Sequence, residues 1–401
     1  MAELLDTLDL SDRARLEIVI AGDRFAAVPT TRGTDGRWMR ARPGDGASEA
    51  LLDLLARGAA RYGRFTVRSW APRSAVGERE VGVDQTNESV IVGDVAVVKW
   101  ASHLEMGPHP APRRIGVLRE AGFTGMPAPW GLITWDSPAG AETLVASVDE
   151  YLPGAVDGWT WAVDLVTAAA RHRRVAPLVA AAAEVGALIA DLHAALSGTV
   201  TVATPAAAAR WRGDARRTLE LACASGDSDS ITLARSCHDS IDAALDVLGT
   251  LAGTAVLDGH GDLHVGQILR SGGRFVVTDF DGNPVLPAEQ RMLPIPAVLD
   301  VAGMTQSWAH VSIVARKYTD LDPVALAAAD TAARTAFLDA YAARLVTLGH
   351  VDLYDPSPLR AFRLQQVLRE IIYATRHLPR WMYVPDAALP ALLDERTVRE
   401  A

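Results

Sequence analysis

His260-Gly261-Asp262-Leu263-His264-Val265-Gly266-Gln267 and, a short insert later, Asp279-Phe280-Asp281-Gly282 set three carboxylates and one side-chain amide in a fixed order. Asp262 precedes Gln267 by five residues, and Asp279 and Asp281 stand two apart. The insert reads as a hairpin, with strands at 268–270 and 274–278 around Ser271-Gly272-Gly273. Oxygen donors of this kind suit a hard cation such as Mg²⁺. His260 and His264 lack a third spaced partner, so hydrogen bonds that structure the loop fit them better than a zinc centre.

The order is similar to that of protein kinases, in which a catalytic-loop Asp is followed five residues on by an amide and later by a D-F-x-G Asp. That resemblance implies ATP and Mg²⁺. Asp262 would orient an acceptor hydroxyl and take its proton late, and Gln267 would hold Mg²⁺ through its side-chain oxygen. Asp279 would bridge metal and phosphates, with Asp281 placed to help.

Composition sets the frame. The 401 residues exceed one simple core, so two or three subdomains are expected. With 49% hydrophobic and 22% charged residues the chain is globular, and a net charge of −10 argues against nucleic acid as a partner. Cys223 and Cys237 fit no metal pattern and read as reduced thiols. The start Met1-Ala2-Glu3-Leu4-Leu5-Asp6 is acidic, unlike a secretory signal. Glu184, Asp191 and His193 interrupt the longest apolar run, 177–196, which reads as a core helix rather than a membrane span. A cytoplasmic protein that binds no membrane is expected.

The expected fold class is α+β, in three parts. Residues 1–80 read as a cap, with strands at 16–20, 25–28 and 65–70 and a helix at 48–57. Residues 81–155 read as a β-rich small lobe that binds ATP. Its strands fall at 81–84, 89–92, 95–100, 131–135 and 143–151, with a turn at Gly93-Asp94 and one helix at 112–121. Residues 156–401 read as a helical large lobe, with helices at 159–170, 176–196, 204–224, 228–249, 297–317, 323–348 and 357–377.

Lys99 and Lys317 are the only lysines in an arginine-rich chain, so a Lys at the end of Val95-Ala96-Val97-Val98-Lys99-Trp100 suggests a need for a compact point charge. Its place matches the kinase lysine that contacts the α- and β-phosphates. Asp84-Gln85-Thr86-Asn87-Glu88-Ser89 lies where a phosphate-covering loop belongs but lacks its glycines, so Gln85, Thr86, Asn87 and Ser89 would serve instead. In Asp149-Glu150-Tyr151-Leu152, the backbone of Glu150, Tyr151 and Leu152 would face adenine as an inter-lobe hinge.

Four segments, H-G-D-L-H-x-G-Q, D-F-D-G-x-P, D-Q-T-N-x-S and Y-L-P-G-A-x-D-G-W, resemble bacterial maltokinases and the related actinobacterial glucosamine kinases. Both belong to the aminoglycoside-phosphotransferase branch of kinase-like folds, and the similarity runs from about Val81 to the C-terminus. It implies a bilobal kinase-like fold and a sugar as acceptor, glucosamine or maltose. Candidate groups for the sugar are Asp262 and His264 in the loop and Asp300, Trp308, His310, Glu370, Tyr373, Arg376 and Trp381 downstream. Asp300 or Glu370 could answer a buried ammonium, which a neutral disaccharide lacks. The helix 369–377 lacks the second acidic residue that the resemblance associates with maltokinases, which favours glucosamine, at its 6-hydroxyl. A maltokinase, an aminoglycoside phosphotransferase and a catalytically inactive kinase-like sensor are the alternatives.

One departure stands out. The family places a Glu on the small-lobe helix to pair with the strand lysine, whereas this chain reads Pro110-Ala111-Pro112-Arg113-Arg114 there. Glu105 or Glu120 could substitute, or phosphate alone could hold Lys99.

Overall fold

A computed structural model describes residues 3–22, 24–81, 88–105, 107–138 and 140–395. The chain divides into two compact units. The first comprises Met1–Ala155 and Val277–Leu293, and the second Val156–Val276 and Pro294–Ala401.

The first unit holds two antiparallel sheets. Strands β1 (Glu3–Asp9), β2 (Ala14–Ala21), β3 (Arg24–Arg32) and β4 (Trp38–Arg40) pair in chain order. After helix α1 (Ala47–Ala56) come β5 (Ala60–Tyr62), β6 (Phe65–Ser69), β7 (Glu78–Glu80), β8 (Glu88–Val92) and β9 (Ala96–Trp100). Helix α2 (Ala111–Glu120) and strands β10 (Pro129–Asp136) and β11 (Glu142–Glu150) complete the run. The second sheet has the order β5-β6-β10-β11-β9-β8-β7.

The strand expected in a separate cap, β6, therefore belongs to this sheet, and the cap has no core of its own. Leu8, Leu16, Ile18, Leu51 and Leu55 share one buried cluster with Val90, Val98, Trp100, Trp135 and Val148. Alternation explains how: one face of β9 and β11 carries Val98, Trp100, Ala146 and Val148 into that cluster, which leaves the other face for polar groups.

The second unit is mainly helical. It begins with α3 (Gly158–His172), α4 (Ala176–Ala195) and, after β12 (Thr201–Val202), α5 (Pro205–Cys223). Then follow α6 (Asp229–Ser236), α7 (His238–Leu245), β13 (Ala255–Val256) and the hairpin of β14 (Ile268–Ser271) and β15 (Arg274–Val277). After the short α8 (Ala288–Arg291), which belongs to the first unit, the chain adds α9 (Ala297–Tyr318), α10 (Pro323–Leu348), α11 (Leu359–His377) and α12 (Tyr383–Asp394). The single helix expected at 228–249 is broken at Cys237, whose φ of −103° and ψ of 13° leave the helical range. Helix α4 is, among the described residues, the one helix long and apolar enough to cross a membrane by length and composition, and half of that stretch is buried here. Its contacts are chiefly with α10, where Gly186 lets the backbones meet: a Cβ there would sit 2.3 Å from the Phe337 carbonyl oxygen.

Candidate active site

In the first unit the strand lysine acquires an acidic neighbourhood. Ser89, Lys99 and Ser147 stand opposite one another on β8, β9 and β11, and Asp149 lies diagonally across from Lys99 on the same face. Burial pulls the Lys99 ammonium down, but the charges of Asp149, Asp279 and Asp281 outweigh it and hold its pKa above the ordinary value. Asp149 is itself pushed up by burial against the pull of Lys99. Among the described residues, Asp149 is the carboxylate whose charge acts most on Lys99, ahead of Asp279 and Asp281, in place of the glutamate expected from Glu105 or Glu120. Glu105 instead forms an ion pair with Arg291.

Asp279 has a left-handed φ of 66°, a conformation that non-glycine residues rarely adopt and that clusters at functional positions. Burial and the Asp279 charge push Asp281 up, despite His109, Lys99 and Arg114 nearby. A divalent cation would relieve that repulsion, so these carboxylates fit Mg²⁺. Among the described residues no group of three or more His, Cys, Asp or Glu is placed to hold a metal.

The expected hinge segment spends part of its backbone within the sheet. Glu150 N–H donates to Ala128 (2.8 Å) and Tyr151 N–H to Val95 (2.9 Å), so pairing of these residues with adenine would fall to Leu152 and to carbonyl oxygens. Gln85, Thr86 and Asn87 lie outside the described residues.

In the second unit the loop 260–267 is braced from beneath. Asp300, wholly buried on α9, accepts His260 N–H at 2.7 Å and Gly261 N–H at 2.8 Å. His193 Nε2 lies 3.2 Å from the same carboxylate, while its Nδ1 is 2.8 Å from the Tyr341 hydroxyl. Burial alone would raise the Asp300 pKa; His193 and these donors overcome it and hold the carboxyl below its ordinary range. Asp300 was a candidate for the sugar, but its two oxygens are taken up by the His260 and Gly261 N–H groups and by His193, so it braces the loop. Asp300→Asn would turn an amide toward groups that already donate, and a loss of about 3–5 kcal/mol in urea unfolding is expected.

Trp308 is a second correction. It is fully buried and meets Trp161 edge-on at 5.6 Å, so it is core rather than a sugar contact. Tyr373 is exposed with its ring 5.4 Å from His377, and Arg376 is exposed beside it.

Trp381 meets Trp159 edge-on at 5.8 Å, and Trp159 lies 6.4 Å from the His264 ring. His264 Nδ1 accepts Gly266 N–H (3.0 Å), and its Nε2 lies 3.4 Å from the Gln267 side-chain amide. Trp159 owes its place to the segment before α3. Asp157 caps the helix by accepting Thr160 N–H, and Gly158 is obligatory because a Cβ would meet the Val265 carbonyl oxygen at 1.5 Å. Sequence reading did not single out Trp159 as a contact, although the D-G-W segment carried the signal. Arg369 was also missed: the charges of Asp262 and Asp214 act on its guanidinium, which burial otherwise pulls below its usual pKa.

The acidic acceptor candidate that remains is Glu370, beside His310. Arg363 Nε donates to Gln306 Oε1 (3.0 Å), which fixes that amide so that Gln306 Nε2 faces His310 Nε2 at 3.1 Å. His310, buried and beside the Arg363 charge, has its pKa lowered to about 3 and is neutral. Glu370 Oε1 accepts from Gln366 (3.0 Å), while its buried Oε2, 3.2 Å from His310 Nε2, has no hydrogen-bond donor among the described residues. Burial pushes this carboxyl up to about 8, with Gln366 opposing.

A strand lysine ringed by aspartates, a strained D-F-D-G turn and a braced H-G-D loop define a phosphotransferase of the kinase-like α+β class. No family model matches the sequence. A glucosamine kinase of Mycolicibacterium smegmatis is 62% identical over 396 residues, 98% of this chain and 99% of the relative. One of Streptacidiphilus jiangxiensis is 46% identical over 97% of this chain and 91% of its own length. Among solved structures, a glucosamine kinase in complex with glucosamine, ADP and inorganic phosphate superposes with a TM-score of 0.88 at 44% identity, covering 98% of this chain and 94% of that one. Another crystal form of a glucosamine kinase gives a TM-score of 0.90 at 43% identity over 98% of this chain and 94% of its own. The chain belongs to the glucosamine kinase family.

Proposed function

We propose that the protein transfers the γ-phosphoryl group of ATP to the 6-hydroxyl of D-glucosamine. The observation that carries the choice of sugar is Glu370. A buried carboxyl with one oxygen lacking a donor, beside a histidine that is neutral, gains most from an ammonium ion. Maltose and glucose offer no such group. The family relationship and the glucosamine in the related complex support the same acceptor.

Asp262 aligns the acceptor hydroxyl and takes its proton as the bond to phosphorus forms. Lys99, kept charged by Asp149, holds the α- and β-phosphates, with Ser89 across from it on the same face. Asp279 and Asp281 are the carboxylates that would hold Mg²⁺, and Gln267 is the amide that the motif assigns to the ion. Mg²⁺, when bound, offsets charge on the phosphates. Trp159, Trp381 and His264 supply apolar surface for a sugar ring. A kinase that draws on ATP fits a cytoplasmic location.

The test is ADP release with glucosamine, glucose, maltose and an aminoglycoside. Turnover of glucosamine far above the rest is expected. Turnover of maltose without glucosamine would overturn the assignment, and equal turnover of glucose would remove the role of Glu370.

A further inference from the structure

We propose that Arg114 is a positioning residue for the Asp279-Phe280-Asp281-Gly282 turn, and that helix α2 thereby serves the metal carboxylates rather than the lysine. This rests on the phosphotransfer reading above. At this point of α2 the family resemblance calls for a glutamate that pairs with the strand lysine. Here Asp149 on β11, diagonally across from Lys99, supplies the charge that acts most on the lysine, so the helix position is released from that duty.

The geometry shows what the arginine does instead. Arg114 is 4% exposed, and its guanidinium forks between two main-chain oxygens: Nη1 donates to Phe280 O at 2.9 Å and Nη2 to Arg291 O at 3.0 Å. Phe280 O belongs to the same peptide plane as Asp281 N–H, and that N–H faces Asp279 Oδ1 at 3.4 Å. Gripping the oxygen therefore sets the rotation of the plane that joins the two carboxylate residues. The plane lies between a strained Asp279 (φ 66°) and Gly282 (φ 73°), whose missing Cβ would stand 3.0 Å from Arg114 Nη1. The other end of the clamp is held too, since Arg291 is paired with Glu105. A planar fork reaches both oxygens at once; a lysine ammonium, a point charge on a flexible stem, does not reproduce it.

The test compares full-length wild type with Arg114→Lys and Arg114→Met. Mn²⁺ affinity is measured in the presence of ADP by the EPR signal of free Mn²⁺, together with the Mg²⁺ dependence of kcat, the KM for glucosamine and the unfolding midpoint. Arg114→Met is expected to weaken Mn²⁺ binding about tenfold or more, Arg114→Lys to recover part of it, and the KM for glucosamine to stay within about twofold of wild type. Mn²⁺ affinity and Mg²⁺ activation at wild-type values in a folded Arg114→Met variant, with only a lower unfolding midpoint, would overturn the proposal. If the Met variant does not fold, the Lys variant decides, and wild-type metal affinity there overturns it equally. A wild type that binds Mn²⁺ with ADP but does not phosphorylate glucosamine would sink the proposed function while leaving the Arg114 comparison readable.

Discussion

Asp262→Asn is expected to lower kcat for glucosamine phosphorylation by about three orders of magnitude while leaving KM for ATP and glucosamine within a few-fold of wild type. The loop that carries Asp262 is shaped by Asp300, by the Ser307 hydroxyl that accepts Val265 N–H (3.0 Å) and by the close approach of Gly158 to Val265. These contacts are made by other groups of the loop, and Asn is isosteric with Asp, so the substitution removes proton acceptance while leaving them in place. Steady-state kinetics with a matched unfolding curve make the measurement. Wild-type turnover by the variant would leave the chain without its proposed base and revive the reading of an inactive kinase-like sensor.

Glu370→Gln is expected to lower kcat/KM for glucosamine by about a hundredfold or more and to erase most of the preference over glucose. The same substitution has a signature in stability. The folded protein holds a proton on Glu370 up to about pH 8, whereas the unfolded chain releases it near the ordinary 4.5, so this residue makes stability fall as pH rises between those values. His310 acts in the opposite sense, since its pKa falls from 6.5 to about 3 on folding and it adds stability as pH rises through that interval. Between pH 6.5 and 8 His310 contributes almost no slope, and Glu370 adds a decline of about 1–2 kcal/mol. Urea unfolding at pH 6.5 and 8.5 should show a decline larger in wild type than in the Gln variant by that amount. An equal decline in both would show that the carboxyl ionises normally.

The chemistry of phosphate transfer was legible in short segments because it needs fixed spacing. The Asp262-to-Gln267 interval, the Gly272-Gly273 turn and the D-F-D-G sequence are local, and β14 and β15 form the hairpin read from them. Lys99 was likewise visible at the end of an apolar strand. Its partner was harder to see, because the pairing of β9 with β11 is a register fact that no local pattern contains. Asp149 was read as part of a hinge, and the place expected for a glutamate was searched on the helix.

Asp300 and Trp308 show a different limit. A polar or aromatic residue on a helix reads the same in sequence whether it faces a ligand or braces a loop, and only packing separates the two. Secondary structure failed for similar reasons. Helix α12 went unread because Pro385 and Pro390 look like breakers, although the first lies in the opening turn, where proline is tolerated. Strand β1 went unread because Leu4 and Leu5 are exposed and break the alternation expected of a half-buried strand.

The central claim is that the γ-phosphoryl of ATP reaches the 6-hydroxyl of glucosamine. Phosphorus–proton correlated NMR of the product formed from wild-type enzyme, ATP, Mg²⁺ and glucosamine tests it most directly. Phosphorus coupled to both protons on carbon 6 is the expected result. Coupling to the anomeric proton, or no phosphorylated sugar at all, would contradict it.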